Sequence, residues 1–97
     1  MTEIRWTERA VTDLEDIKSF IGRDSPAYAL AIVRTLYVAV DHLRRFPDSG
    51  RVVPEKGDSD LRELVRPPYR IVYRRSDDLV EVLLVFRSSL PLSEAER

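Results

Sequence analysis

The chain has no cysteine, only one histidine and only three glycines among its 97 residues. Without cysteine, neither a disulfide framework nor a thiolate metal site can form. One imidazole cannot make a zinc site without several carboxylate partners. No cofactor-binding motif is recognisable, so we expect the protein to use neither a metal nor an organic cofactor.

Long apolar stretches are also absent, and no segment approaches the length of a membrane span. The first six residues, Met1 to Trp6, lack the basic and then apolar run of a signal peptide. These features predict a cytoplasmic protein without membrane contact. At 11.3 kDa the chain has room for one core, so we expect a single domain over residues 1–97.

The chain has almost no net charge, but its basic and acidic residues are unevenly distributed along the sequence. The formal net charge is −1, which argues against a general nucleic-acid binder. Between Arg44 and Arg75, however, nine basic residues face only five acidic ones, whereas both ends of the chain are acidic. The middle of the chain therefore predicts a basic surface that meets something anionic.

Hydrophobic periodicity predicts a short first strand at residues 3–6 and then two helices. Thr7 can cap a helix that runs to about Ile21, with Gly22 ending it. Ser25 and Pro26 are a start signal for a second helix that reaches about Phe46, where Pro47 stops it. A hairpin of two helices joined by so few residues should pack antiparallel.

Three strands are predicted next, at about residues 61–66, 69–75 and 79–86. In the second of them, alternation puts Ile71 and Tyr73 on one face and Arg70, Val72 and Arg74 on the other. In the last strand, alternation puts four side chains on one face: Val80, Val82, Leu84 and Phe86. Both faces of that strand are largely apolar, which favours an interior position in the sheet. Three aromatic residues should belong to the core and the histidine to the surface: Trp6, Tyr69, Tyr73 and His42.

The order β-α-α-β-β-β resembles the RelE/ParE superfamily of bacterial toxins from type II toxin–antitoxin systems. The resemblance covers nearly the whole chain and depends on several short motifs in register. They are Trp6-Thr7 before Ala10, the Asp13-Leu14-x-x-Ile17 face, Ser25-Pro26, Leu43-x-x-Phe46-Pro47-x-x-Gly50-Arg51, the Glu55 position, Arg62-Glu63-Leu64, Tyr69-Arg70-Ile71-Val72-Tyr73-Arg74 and the strand from Val80 to Phe86.

The resemblance implies an α+β fold in which the helical hairpin packs on one face of a small, mainly antiparallel sheet. It also implies a cognate antitoxin whose C-terminal segment wraps the toxin, and therefore a hetero-oligomer. The superfamily has two branches. One cleaves messenger RNA in the ribosome, and the other, the ParE branch, poisons DNA gyrase and is not known to act as an enzyme.

A ribosome-dependent endoribonuclease would use four residues of this chain, by the same resemblance: Arg51, Glu55, Arg70 and Arg87. Many such enzymes also carry histidine, lysine or tyrosine just after the last strand. Here that segment is Arg87-Ser88-Ser89-Leu90-Pro91-Leu92, and arginine is a poor proton donor because it stays charged. The pattern therefore favours the gyrase-inhibiting branch, with the ribonuclease as the alternative.

Arg51 and Arg70 have two interpretations. They contact a phosphate or carboxylates of a partner, or they form ion pairs with Glu55, Glu63 or the antitoxin. We expect Glu55 to be a structural partner of Arg51 rather than a base. The predicted surface for the target or the antitoxin consists of five arginines: Arg51, Arg62, Arg70, Arg74 and Arg87. A third hypothesis keeps the fold without toxicity and leaves a module that only binds an antitoxin.

Overall fold

The computed structural model describes residues 1–97, and its first large feature is the expected helical hairpin. Helix α1 spans Glu8–Gly22 and helix α2 spans Pro26–Asp41. The hydroxyl of Thr7 caps α1 by accepting the Ala10 N–H at 3.1 Å, and the hydroxyl of Ser25 caps α2 in the same way. Both predicted start signals are confirmed, because each hydroxyl satisfies a backbone N–H that the helix leaves free.

The end of the second helix differs from the prediction of about Phe46. The α-helix ends at Asp41, and a 3₁₀ turn over His42–Arg44 follows it. The N–H groups of Arg45 and Phe46 both bond to the carbonyl of His42, which tightens the chain. Pro47 disfavours the α conformation at Phe46 only, so it explains why no helix continues past this point but not the change to 3₁₀ geometry at His42.

The sheet has five strands rather than four. They are β1 (Glu3–Trp6), β2 (Arg51–Val52), β3 (Leu61–Arg66), β4 (Tyr69–Ser76) and β5 (Leu79–Arg87), and a one-turn helix α3 follows at Leu92–Ala95. The four predicted strands are confirmed within one residue at each end. Strand β2 and helix α3 were not predicted, because two and four residues are too short to show a hydrophobic period.

The strand order is β1-β5-β4-β3-β2, which confirms the interior position of β5. Strand β1 is parallel to β5, and all other neighbours are antiparallel. The free edge of β5 beyond β1 is covered by α1, where Asp13 accepts the N–H of Val85 at 2.9 Å. The predicted α+β architecture is therefore confirmed.

A β-bulge in β5 changes which side chains share a face. Val72 pairs with Leu84 but Tyr73 pairs with Val82, so Leu83 is the extra residue. Thr7 donates to the carbonyls of Val82 and Leu83 at 2.8 and 3.1 Å at this point. The prediction of one common face for the four apolar residues of β5 is wrong, because the extra residue turns the strand over.

The sheet consequently has two apolar faces. On the hairpin side, Val80, Val82 and Val85 join Ile71 and Tyr73 beneath the helices. On the opposite side, Leu84 and Phe86 form a smaller cluster with residues from the loop, the strands and α3: Val53, Leu61, Val72, Leu92 and Ala95. The hairpin does not reach this second face, which we call the helix-free face, and α3 and the loop between β2 and β3 cover part of it.

The aromatic and histidine predictions have definite outcomes. Tyr69 and Tyr73 are buried in the hairpin-side core, and His42 is exposed. Trp6 is half-buried at the border of that core, where its ring stacks on Tyr37 with centroids 6.2 Å apart. No helix is both long and apolar enough to traverse a bilayer.

Candidate functional site

Charged side chains from three elements meet on the helix-free face. Register places Arg51 of β2 opposite Glu63 of β3, and Arg70 of β4 opposite Val65 of β3 and Phe86 of β5. Residues that are directly opposite in a sheet point to the same side. These side chains therefore lie beside the smaller apolar cluster, and we call Arg51, Glu55, Glu63 and Arg70 the carboxylate–arginine cluster.

Glu63 is the centre of this cluster, and its side chain is completely buried. One carboxylate oxygen accepts Nε of Arg51 at 2.6 Å, and the other accepts Nε of Arg70 at 2.9 Å. A buried carboxylate costs several kcal/mol of desolvation unless it is paired and hydrogen-bonded. Two guanidinium groups supply those partners, so Glu63 holds both arginines in place.

Arg70 has its guanidinium engaged on every side and is only 8% exposed. Its Nη1 and Nη2 donate to the two carboxylate oxygens of Glu55 at 3.1 and 3.0 Å, and Nη2 also contacts Glu63. The guanidinium carbon lies 5.0 Å from the centroid of the Phe86 ring. The hydrogen bonds that Arg70 donates to Glu55 and Glu63 raise the pKa of Arg70 above its ordinary value, so the group stays charged.

Glu55 lies in the loop between β2 and β3 and closes the outer side of Arg70. Its hydrogen bonds with Arg70 lower its pKa to about 2. The backbone N–H of Leu92, at the start of α3, also points at this carboxylate from 3.4 Å. A carboxylate that binds protons so weakly is poorly matched to general-base work near neutral pH. The prediction that Glu55 pairs with Arg51 is wrong, because β3 carries Glu63 to Arg51 and leaves Glu55 to Arg70.

The other predicted arginines are spread over both faces of the sheet. Arg74 shares the helix-free face and pairs with Asp58 at 3.3 Å. Arg87 is exposed at the end of β5, and its guanidinium lies 5.9 Å from the centroid of the Tyr69 ring. Arg62 points to the hairpin side and donates to the carbonyl of Gly50 at 3.0 Å. The structure thus brings Arg51 and Arg70 together and leaves the other three apart.

A glycine and a tyrosine position the start of β2. The Tyr73 hydroxyl accepts the Gly50 N–H at 3.1 Å and donates to the carbonyl of Pro47 at 2.8 Å. A Cβ atom at Gly50 would lie 2.6 Å from that hydroxyl oxygen and 2.7 Å from the Glu63 carbonyl. Only glycine fits, and this close approach brings Arg51 beside Glu63.

Glu63 was predicted only as an ion-pair partner and not as the residue that organises the site. The signal that could have identified it is its position on strand β3. The alternation of β3 puts Glu63 on the same face as Leu61, and a carboxylate on an apolar face needs a cation.

Within the described residues 1–97, no group of three or more histidine, aspartate or glutamate side chains is arranged to hold a metal ion.

Comparison with known proteins identifies the chain. Residues 4–89 match the sequence model of the ParE toxin of the type II toxin–antitoxin system parDE. The chain belongs to the ParE toxin family. This result confirms the predicted membership of the RelE/ParE superfamily, and it makes the protein a toxin of the type II toxin–antitoxin class.

Curated relatives cover most of the chain. Toxin RelE2 of Caulobacter vibrioides is 38% identical over 86 residues, which cover 88% of this chain and 93% of the relative. The protein Y4kP of Sinorhizobium fredii is 41% identical over 85 residues, which cover 88% of this chain and 86% of the relative. Names from both branches of the superfamily therefore occur among the matches.

Solved structures show the same fold at low sequence identity. A chain of the chromosomal ParDE system from P. aeruginosa superposes with a TM-score of 0.71 at 24% identity, covering 90% of this chain and 96% of the other. A chain of the RelBE2 toxin–antitoxin complex from Mycobacterium tuberculosis gives 0.61 at 24% identity, covering 89% and 96%. These likenesses confirm the fold.

Proposed function

We propose that this ParE-family toxin inhibits DNA gyrase and is neutralised by a cognate antitoxin. One observation carries the proposal: no proton-transfer group accompanies the arginines of the carboxylate–arginine cluster. Glu55 has a pKa of about 2, and residues 88–92 contain no histidine, lysine or tyrosine. Cleavage of RNA requires a group that takes a proton and a group that gives one, and neither Glu55 nor the segment that follows β5 is suited to these tasks.

The same face is suited to recognition of a macromolecule. On this face Arg51 keeps a side-chain exposure of 64% although it pairs with Glu63, and Arg74 is also exposed, whereas Arg87 lies opposite Tyr69 and points to the hairpin side. Exposed arginines beside an apolar cluster can exchange their present partners for acidic groups of a target. Gyrase is proposed as that target because the family model is that of the parDE toxin.

An antitoxin is proposed as the partner of the hairpin side. Large apolar side chains are exposed along the outer surface of both helices, with exposures between 52% and 61%: Phe20, Leu30 and Tyr37. Leu30 and Tyr37 line one depression, and exposed apolar surface of this kind is typical of protein-binding sites. An amphipathic segment with acidic residues could cover these side chains and also approach the arginines of the sheet.

A gyrase assay tests the proposal directly. We expect micromolar purified toxin to inhibit supercoiling and to accumulate the covalent gyrase–DNA cleavage complex. Arg74→Ala should weaken inhibition several-fold, because Arg74 is exposed on the helix-free face and its pairing with the exposed Asp58 is screened by solvent and adds little to folding. Arg23→Ala, which removes an exposed arginine at the far end of the hairpin, is the matched control. Absence of inhibition by the wild-type toxin would contradict the proposal.

A RelE-like ribosome-dependent endoribonuclease is the second candidate. The observation that favours it is the 38% identity to a relative named toxin RelE2. Its working residues would be Arg51, Glu55, Arg70 and Arg87. Primer extension on translated messages after induction would reveal codon-linked cuts, and an unchanged cleavage pattern with Arg70→Ala would exclude this mechanism.

A further inference from the structure

A second basic site lies on the hairpin side, at the junction between α2 and the end of β3. It is a cleft of about 530 Å³ lined by Arg34, Thr35, Val38, Ala39, His42 and Arg66. The carboxylate–arginine cluster lies on the other face of the sheet. None of the arginines predicted for the target-binding surface lines this cleft.

Helix geometry explains why the α2 side chains converge. Arg34, Val38 and His42 follow one another at four-residue spacing, so they form a row along one side of the helix and its 3₁₀ continuation. At about 1.5 Å per residue, the row spans about 12 Å. Arg66 enters from the sheet, because it shares the hairpin-facing side of β3 with Leu64.

The cationic groups in this cleft have no counter-charge. Neither Arg34 nor Arg66 takes part in an ion pair, and the only side-chain hydrogen bond of Arg66 goes to the carbonyl of its neighbour Val65 at 3.0 Å. No acidic residue lines the cleft. Asp41, the acidic residue next to His42, is bound to Arg44 at 2.7 Å.

We propose that this cleft binds phosphate groups. Two arginines and one histidine line the same cleft, where the His42 ring also packs against Phe46 with centroids 4.8 Å apart, and arginine forks match phosphate oxygens with paired N–H groups. We argue for phosphate rather than an acidic peptide because a phosphate group presents several charged oxygens to a guanidinium fork, and an acidic peptide is the alternative that the oligoglutamate experiment below tests. The phosphate could belong to a free anion or to a nucleic-acid backbone, and the two sources are separable by experiment.

The single histidine of the chain makes the test specific. The ring protons of His42 give the only imidazole signals in the NMR spectrum of the isolated toxin. At constant pH, titration with inorganic phosphate should move these signals saturably, and sodium chloride at matched ionic strength should not. The same titration with a short oligothymidylate tests whether the phosphate belongs to a nucleic-acid backbone. If it does, we expect the oligothymidylate to bind at least about tenfold tighter than inorganic phosphate. Similar affinity for both would assign the cleft to free phosphate anions.

Matched charge-removal variants connect the signal to the cleft. Arg34→Gln with Arg66→Gln removes two proposed phosphate ligands, while Lys18→Gln with Arg23→Gln removes two positive charges from exposed sites elsewhere. For oligothymidylate, loss of two phosphate contacts should lower the slope of log affinity against log salt by about 1.4. The control pair should leave that slope unchanged. Both pairs should keep the wild-type unfolding midpoint in urea, since all four side chains are exposed.

Three results would overturn the proposal. They are an absence of saturable phosphate binding at His42, equal weakening by the two double variants, and tighter binding of an oligoglutamate peptide than of oligothymidylate. The last two results would mean that net charge or carboxylate recognition explains the signal. None of these readouts depends on gyrase, so the phosphate site and the proposed function fail independently.

Discussion

The two basic regions of this toxin use arginine in opposite ways. In the carboxylate–arginine cluster, Arg70 is buried and its guanidinium is enclosed by Glu55, Glu63 and Phe86. In the cleft between α2 and the end of β3, Arg34 and Arg66 are exposed and form no ion pair. Charge that is already neutralised by the protein supports the fold, whereas charge left without a partner is available to a ligand. Mutations should therefore separate the two regions by their effect on stability.

The largest expected effect comes from Glu63→Ala. The change leaves Arg70 buried with half of its partners and removes the only anion bound to Arg51, so we expect a loss of about 3 kcal/mol in the free energy of unfolding. Urea denaturation measures it. Arg34→Gln is the matched control from the cleft, and it should remain within about 0.5 kcal/mol of wild type. Equal losses in the two variants would remove the distinction between the regions.

Sequence reasoning predicted the fold well, because helix caps, proline stops and strand alternation are local signals. Thr7, Ser25 and Pro47 each act within a few residues of their own position. Sequence reasoning failed where the pairing of side chains depends on the register between strands. The partner of Glu55 is decided by how β2, β3 and β4 align, and the switch of faces in β5 is decided by the extra residue Leu83. Neither is readable from spacing along one segment.

A smaller loss is expected from Tyr73→Phe, which tests how the cluster is positioned. The phenylalanine keeps the ring in the core but leaves the Gly50 N–H and the Pro47 carbonyl without their partner. Removing one partner from buried polar groups costs about 2 kcal/mol. Tyr28→Phe, at an exposed position, should have no measurable effect in the same denaturation experiment.

Ionisation of the Tyr73 phenol should make the free energy of unfolding depend on pH. Burial raises the pKa of Tyr73, so the neutral phenol is favoured in the folded state. A phenol whose pKa is higher in the folded state than in the unfolded state stabilises the fold. The stabilisation is complete below the pKa of the unfolded state, about 10, and it is lost as the pH rises through the pKa of the folded state. Wild type should therefore lose stability above about pH 10 more steeply than Tyr73→Phe. Identical slopes for the two proteins would show that the hydroxyl is not buried in the folded state.

The smallest effect should come from Glu55→Gln, because this carboxylate is 38% exposed and solvent screens its pairing. Arg70 lowers the pKa of Glu55 from 4.5 to about 2. A carboxylate whose pKa is lower in the folded state than in the unfolded state stabilises the fold. The stabilisation is complete above the pKa of the unfolded state, and it is lost as the pH falls through the pKa of the folded state. Wild type should thus lose stability between about pH 4.5 and 2 in part through this group, and Glu55→Gln should show a flatter profile there. Equal profiles would mean that Glu55 does not pair with Arg70 in solution. In that case the outer edge of Arg70 would be free, and the two basic regions would differ in burial but not in the availability of their charge.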